Sequence, residues 1–110
     1  MKEKVNEMAM TKDDMAMIAM EIAAYSGDAR TKYLDALDAI LDGEYDKGAA
    51  LVKEGDDLIL SAHNQQTELI SKEAAGEEID IGFLTVHAQD HLMTAMLLSD
   101  ICKRMLKHRK

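Results

Sequence analysis

Two histidines four residues apart, His87 and His91, interrupt a largely apolar run, Val86-His87-Ala88-Gln89-Asp90-His91-Leu92-Met93-Thr94. On a helix, residues three, four and seven apart share a face, so His87, Asp90, His91 and Thr94 form a polar stripe. Two imidazoles and a carboxylate are costly to bury without partners, and the stripe therefore calls for a metal, a reacting group or a neighbouring subunit. Two chemistries suit these residue types. His87 and His91 have the i, i+4 spacing that lets two imidazoles hold one metal ion, with Asp90 as a third ligand. Alternatively, a neutral imidazole attacks phosphorus at physiological pH and surrenders it to an acceptor, while Thr94, Gln89 and His91 accommodate the incoming charge.

Other chemistries lack their parts. Ala88 stands where a zinc peptidase of the HExxH type carries its glutamate base. Ser61, Ser71 and Ser99 fall on predicted helices without the sharp Gly-rich turn of a nucleophilic serine. There is no Walker loop, so a phosphate on this chain would not come directly from a nucleotide. The formal net charge of −8 repels nucleic acid, and the basic residues cluster only at Lys103, Arg104, Lys107, His108, Arg109 and Lys110, where cations complement a helix C-terminus. No apolar stretch is long enough to span a bilayer, and Lys2, Glu3, Lys4 and Glu7 exclude a signal-peptide core. The expectation is a cytoplasmic protein without membrane insertion. Cys102, the one cysteine, is in helical register with Leu98, Ile101 and Met105 and reads as a small buried hydrophobe. The nine methionines read as core at helical spacing.

The absence of proline, the 4% aromatic content and the abundance of Ala, Met and Leu describe a chain that is helical nearly throughout. Three helices are predicted, at about 11–42, 46–72 and 83–108, in one domain preceded by a flexible segment, 1–10, without chemistry. The first buries Met15, Ile18, Ala19, Ile22, Tyr25, Ala29, Tyr33, Leu37 and Ile40, and ends at Gly43. Gly27 within it is expected to let a neighbouring backbone approach while the helix continues. Asp46 is the expected N-cap of the second helix, whose inward stripe is Ala49, Val52, Ile59, Ala62, Gln66, Leu69 and Ile70. The third is apolar on several sides, from Phe83 and Val86 through Met93 and Leu97 to Leu106, and three helices cannot cover it. Self-association follows, most simply a closed ring with this helix at its centre.

The octapeptide His87-Ala88-Gln89-Asp90-His91-Leu92-Met93-Thr94 resembles the signature of the lactose/cellobiose-class enzyme IIA proteins of the bacterial sugar phosphotransferase system. Gly27-Asp28-Ala29-Arg30, Ala62-His63 with Gln66-Thr67, and Glu73-Ala74-Ala75-Gly76-Glu77-Glu78 resemble that family in the same order. The resemblance implies an all-α, antiparallel up-down-up three-helix bundle assembled as a homotrimer. It implies that His87 accepts phosphate from the carrier protein HPr and passes it to a cysteine of the cognate IIB component, which phosphorylates a disaccharide of the lactose, cellobiose or chitobiose type. His91 would assist at the phosphoryl group, with Gln89, Thr94 and Gln66 in support. Asp90 matches a metal-binding aspartate, one Mg2+ ion per trimer on the threefold axis. Three such carboxylates meeting in a dry seam would need a cation or protons, and a hard cation suits oxygen donors.

Overall fold

A Thr11 capping box starts the first helix: its hydroxyl accepts the Asp14 N–H and the Asp14 carboxylate accepts the Thr11 N–H, each at 3.1 Å. In this computed structural model, which describes residues 11–79 and 81–109, three helices follow in order and no strand occurs among the described residues. They are α1, Lys12–Leu41; α2, Tyr45–Ala74; and α3, Phe83–Lys107. The expected segment 1–10 lies outside the described residues.

Gly43 adopts φ 81° between α1 and α2, a left-handed conformation that relieves the end of α1 without a Cβ clash. Asp46 is not the N-cap. Helix α2 begins at Tyr45, because the Glu44 carbonyl already accepts the first helical bond, from the Gly48 N–H at 3.0 Å; Glu44 thus takes the capping position, with no side-chain cap.

From Met15 through Glu21 to Tyr33, the partners of α1 on α2 run from Leu69 through Gln65 to Asp56, and on α3 from Val86 to Cys102. The core is built largely from small residues, with Ala29, Ala36, Ala62, Ala88 and Ala95 letting the helices approach around Tyr33 and Leu92. Gly48 and Gly55 are the positions of close approach. A Cβ on Gly55 would stand 2.5 Å from the Tyr33 ring and one on Gly48 would stand 2.7 Å from Ile40.

Gly27 is not such a position: α1 is unbroken there, but nothing lies within 4 Å of where its Cβ would be. Tyr25, Ala49 and Ile70, expected inward, are exposed. The buried stripe of α1 instead runs Met15, Ala19, Ile22, Ser26, Ala29, Tyr33, so the serine after Tyr25 takes the inward place. Cys102 is fully buried, and its thiol lies 3.5 Å from the Tyr33 carbonyl. None of the described helices is long and apolar enough to cross a membrane.

Candidate functional site

Ala88, Leu92 and Ala95 point α3 into the core, which leaves His87 and His91 on its flank, His87 exposed and His91 half-buried. Their rings meet edge-on, centroids 4.5 Å apart at 76°, with the two Nε2 atoms 3.1 Å from each other. One proton therefore lies between two nitrogens. The Nδ1 of His91 is buried with no partner, and a buried N–H without an acceptor is costlier than an idle lone pair. Hydrogen-bond logic places the His91 proton on Nε2, donating to His87 Nε2, and the His87 proton on Nδ1. His87 thus keeps a lone pair on Nε2, the form of imidazole that attacks an electrophile.

The other expected residues divide between two faces. Asp90 does not join the histidine pair. It lies on the exposed stripe Phe83, Val86, Asp90, Met93, Leu97, Ile101, where Phe83 is 88% and Leu97 59% exposed. Gln89 and Gln66 are half-buried and, with Asp90, border a largely apolar cavity of about 250 Å³ that Leu69 and Ile79 also line. The Thr94 hydroxyl is turned back on its own helix, donating to the Asp90 carbonyl at 2.8 Å and lying 3.2 Å from the His91 carbonyl. Such i−4 bonding is the usual rest state of a helical threonine. No three His, Cys, Asp or Glu side chains converge as a metal site among the described residues. A chelate of His87, Asp90 and His91 within one chain is therefore not assembled, because Asp90 is turned onto the neighbouring face.

Sequence reasoning missed a polar centre deeper in the bundle. Asp56 on α2 accepts the Tyr33 hydroxyl at 2.6 Å from α1 and the Ser99 hydroxyl at 2.8 Å from α3, and its second oxygen pairs with Lys103 at 2.8 Å. Burial raises the Asp56 carboxyl, but the Lys103 ammonium and the two hydroxyl donors outweigh it and hold the group below its ordinary value. Burial and the Asp56 hydrogen bond push the Tyr33 phenol well above its usual range. Lys103 is thus a partner of Asp56, beyond any role at the C-terminus of α3. The one available signal was Gly55 beside Asp56, a glycine that makes room for the Tyr33 ring.

A family model described as the lactose/cellobiose-specific IIA subunit of the phosphotransferase system matches residues 17–110. The chain belongs to that family. Its relatives in this family include the lactose-specific EIIA component of Streptococcus mutans, 45% identical over 89% of this chain and 94% of the relative. That of Lacticaseibacillus casei is 47% identical over 91% of this chain and 89% of its own. Among solved structures, PtcA from S. mutans superposes with a TM-score of 0.87 at 39% identity, covering 89% of this chain and 96% of that one. The cellobiose-specific enzyme IIA from Bacillus anthracis gives 0.79 at 33% identity, covering 93% and 91%. As a member of the IIA family the chain is a phosphate-carrying component of a sugar phosphotransferase system.

Proposed function

We propose that the chain is a cytoplasmic phosphoryl carrier that accepts phosphate from phospho-HPr on His87 and passes it to the cognate IIB component, for uptake of a disaccharide of the lactose, cellobiose or chitobiose type. The observation that carries this reading is the exposed His87 ring, whose Nε2 faces the Nε2 of His91 at 3.1 Å. The lone pair of His87 Nε2 forms the new N–P bond as the N–P bond to the donor imidazole breaks. His91 Nε2–H then passes from nitrogen to a phosphoryl oxygen, a charge-assisted bond stronger than the one it replaces. Transfer to IIB reverses these steps, and no proton need be stored. Gln89 and Gln66, the amides expected in support, line a cavity on the other side of α3 that neither imidazole borders, so any support they give would be indirect, through the seating of α3.

The protomer in this reading is an up-down-up bundle in a homotrimer, α3 innermost. Support comes from the exposed stripe of α3, whose three- and four-residue spacing is that of a helix seam. Asp90 is the one charged side chain on that stripe from Phe83 to Ile101. A carboxylate covered there needs a counter-charge, and its oxygens fit a hard cation such as Mg2+ shared by three copies. The ion would neutralise the seam and take no part in phosphoryl transfer.

The test is incubation with phosphoenolpyruvate, enzyme I and HPr. Wild-type protein should acquire an acid-labile phosphate and His87→Ala protein should not; labelling that persists in the variant refutes the assignment.

A further inference from the structure

The most exposed large apolar side chain among the described residues is Phe83, the first residue of α3. Val86, Met93, Leu97 and Ile101 extend it into a strip along that helix, and a continuous bare strip of this kind marks a contact surface. The cavity bordered by Gln89 and Asp90 lies at the same end of α3. Three more exposed apolar side chains stand at its walls, Ile70 from α2, Ile81 from the connection and Val86 from α3, above the more deeply placed Met15 and Leu69. An apolar space of about 150 Å³ already accepts a benzene ring, and this one holds about 250 Å³.

Phe83 does not line that cavity. At about 100° per residue, Gln89 stands roughly 120° round α3 from Phe83, so the ring projects from one flank of the strip and the cavity opens on the other. A knob and a hole placed in this way do not meet within one chain. Copies packed side by side through α3, all pointing the same way, bring each ring to the next copy's cavity, and such a contact is satisfied everywhere only when the circle closes.

The charges at the far end of α3 favour the same parallel order. Arg104 continues the strip seven residues beyond Leu97, and Asp100 stands one turn earlier at its edge; both are exposed, and neither side chain has an ion pair among the described residues. A helical side chain leans toward the N-terminus of its own helix, so the Arg104 guanidinium of one copy falls to the height of Asp100 on a parallel neighbour. An antiparallel neighbour would set it against the apolar end of the strip instead.

We propose that Phe83 of one copy of this chain fills the α2–α3 cavity of the next, locking the assembly as a closed ring. The inference rests on the seam proposed for α3 and adds to it the contact that holds neighbouring copies in register.

The experiment takes the full chain carrying both Phe83→Cys and Ile70→Cys, oxidises it mildly at a concentration where it assembles, and identifies the joined peptides by mass. Position 83 of one chain should be linked to position 70 of another, with covalent species of more than one chain on a denaturing gel; the native Cys102 is buried and stays out of the reaction. In sedimentation, Phe83→Ala should raise the concentration at the midpoint of assembly about thirtyfold, the loss of one well-buried aromatic anchor, and Phe83→Leu should recover part of it. Helix content should match wild type in both, because the ring is exposed in the single copy. A link from position 70 to Met8→Cys of its own chain in a companion variant, in place of the link between copies, gives the cavity another occupant and overturns the proposal. So does a Phe83→Ala protein that has lost helix, since the ring then serves the single copy. Phe83→Ala protein that assembles as wild type overturns the proposal and leaves the seam standing, whereas wild type that is monomeric at every concentration removes both.

Discussion

Asp56 gathers hydrogen bonds from two neighbouring helices, so its replacement separates a structural polar centre from ordinary surface charge. In Asp56→Ala, the fully buried Tyr33 loses its acceptor, which costs about 1–3 kcal/mol, and Ser99 loses its own. The Lys103 pair adds little, roughly 0.5 kcal/mol, because Lys103 is 53% exposed and Asp56 34% exposed in their side chains, and water screens them. The total is about 3 kcal/mol, a fall in melting temperature of roughly 12 °C for a domain of this size. Asp56→Asn keeps an oxygen for Tyr33 and Ser99 and should cost about 1 kcal/mol. Because the folded Asp56 carboxyl lies below its ordinary value of 3.8, its charge contributes stability above that pH, and the contribution is lost as pH falls through the lowered value. The deficit of Asp56→Asn should therefore be full at pH 7 and shrink below about pH 4. Denaturant melts at one fixed protein concentration measure both quantities. An Asp56→Ala cost under about 1 kcal/mol, or an Asp56→Asn deficit identical at pH 7 and pH 3.5, would refute the reasoning.

Two glycines should respond with opposite sign. Gly55→Ala forces a Cβ to 2.5 Å from the Tyr33 ring and should destabilise by about 1–3 kcal/mol, whereas Gly27→Ala meets open space and should stabilise α1 by up to about 1 kcal/mol; calorimetric melts with shifts of the same sign would contradict the packing. Asp90→Ala should leave a trimer whose assembly no longer responds to a metal chelator in sedimentation, and dissociation into monomers would sink the seam proposed for α3.

Much of the histidine site is legible in sequence because its parts lie on one helix. His87 and His91 are joined by a single turn, and turn geometry does not depend on what surrounds it. The same holds for three helices broken near Gly43 and at the connection before Phe83, and for Cys102 as a buried small residue. Asp90 shows the limit: spacing placed it on the histidine stripe, yet i+3 and i+4 fall on opposite sides of a helical position, and packing turned Asp90 to the exposed apolar face.

Sequence by itself determined the helices, the shared face of His87 and His91 and the family signature, all set by separations of a few residues. Tertiary structure alone decided that Tyr25 yields its inward place to Ser26, that Gly55 rather than Gly27 marks the closest approach, and that Tyr33, Asp56, Ser99 and Lys103 share one carboxylate. Those outcomes depend on the axial shift and rotation of one helix against another. Both are fixed by the summed fit of many side chains, and no local spacing along the chain encodes them.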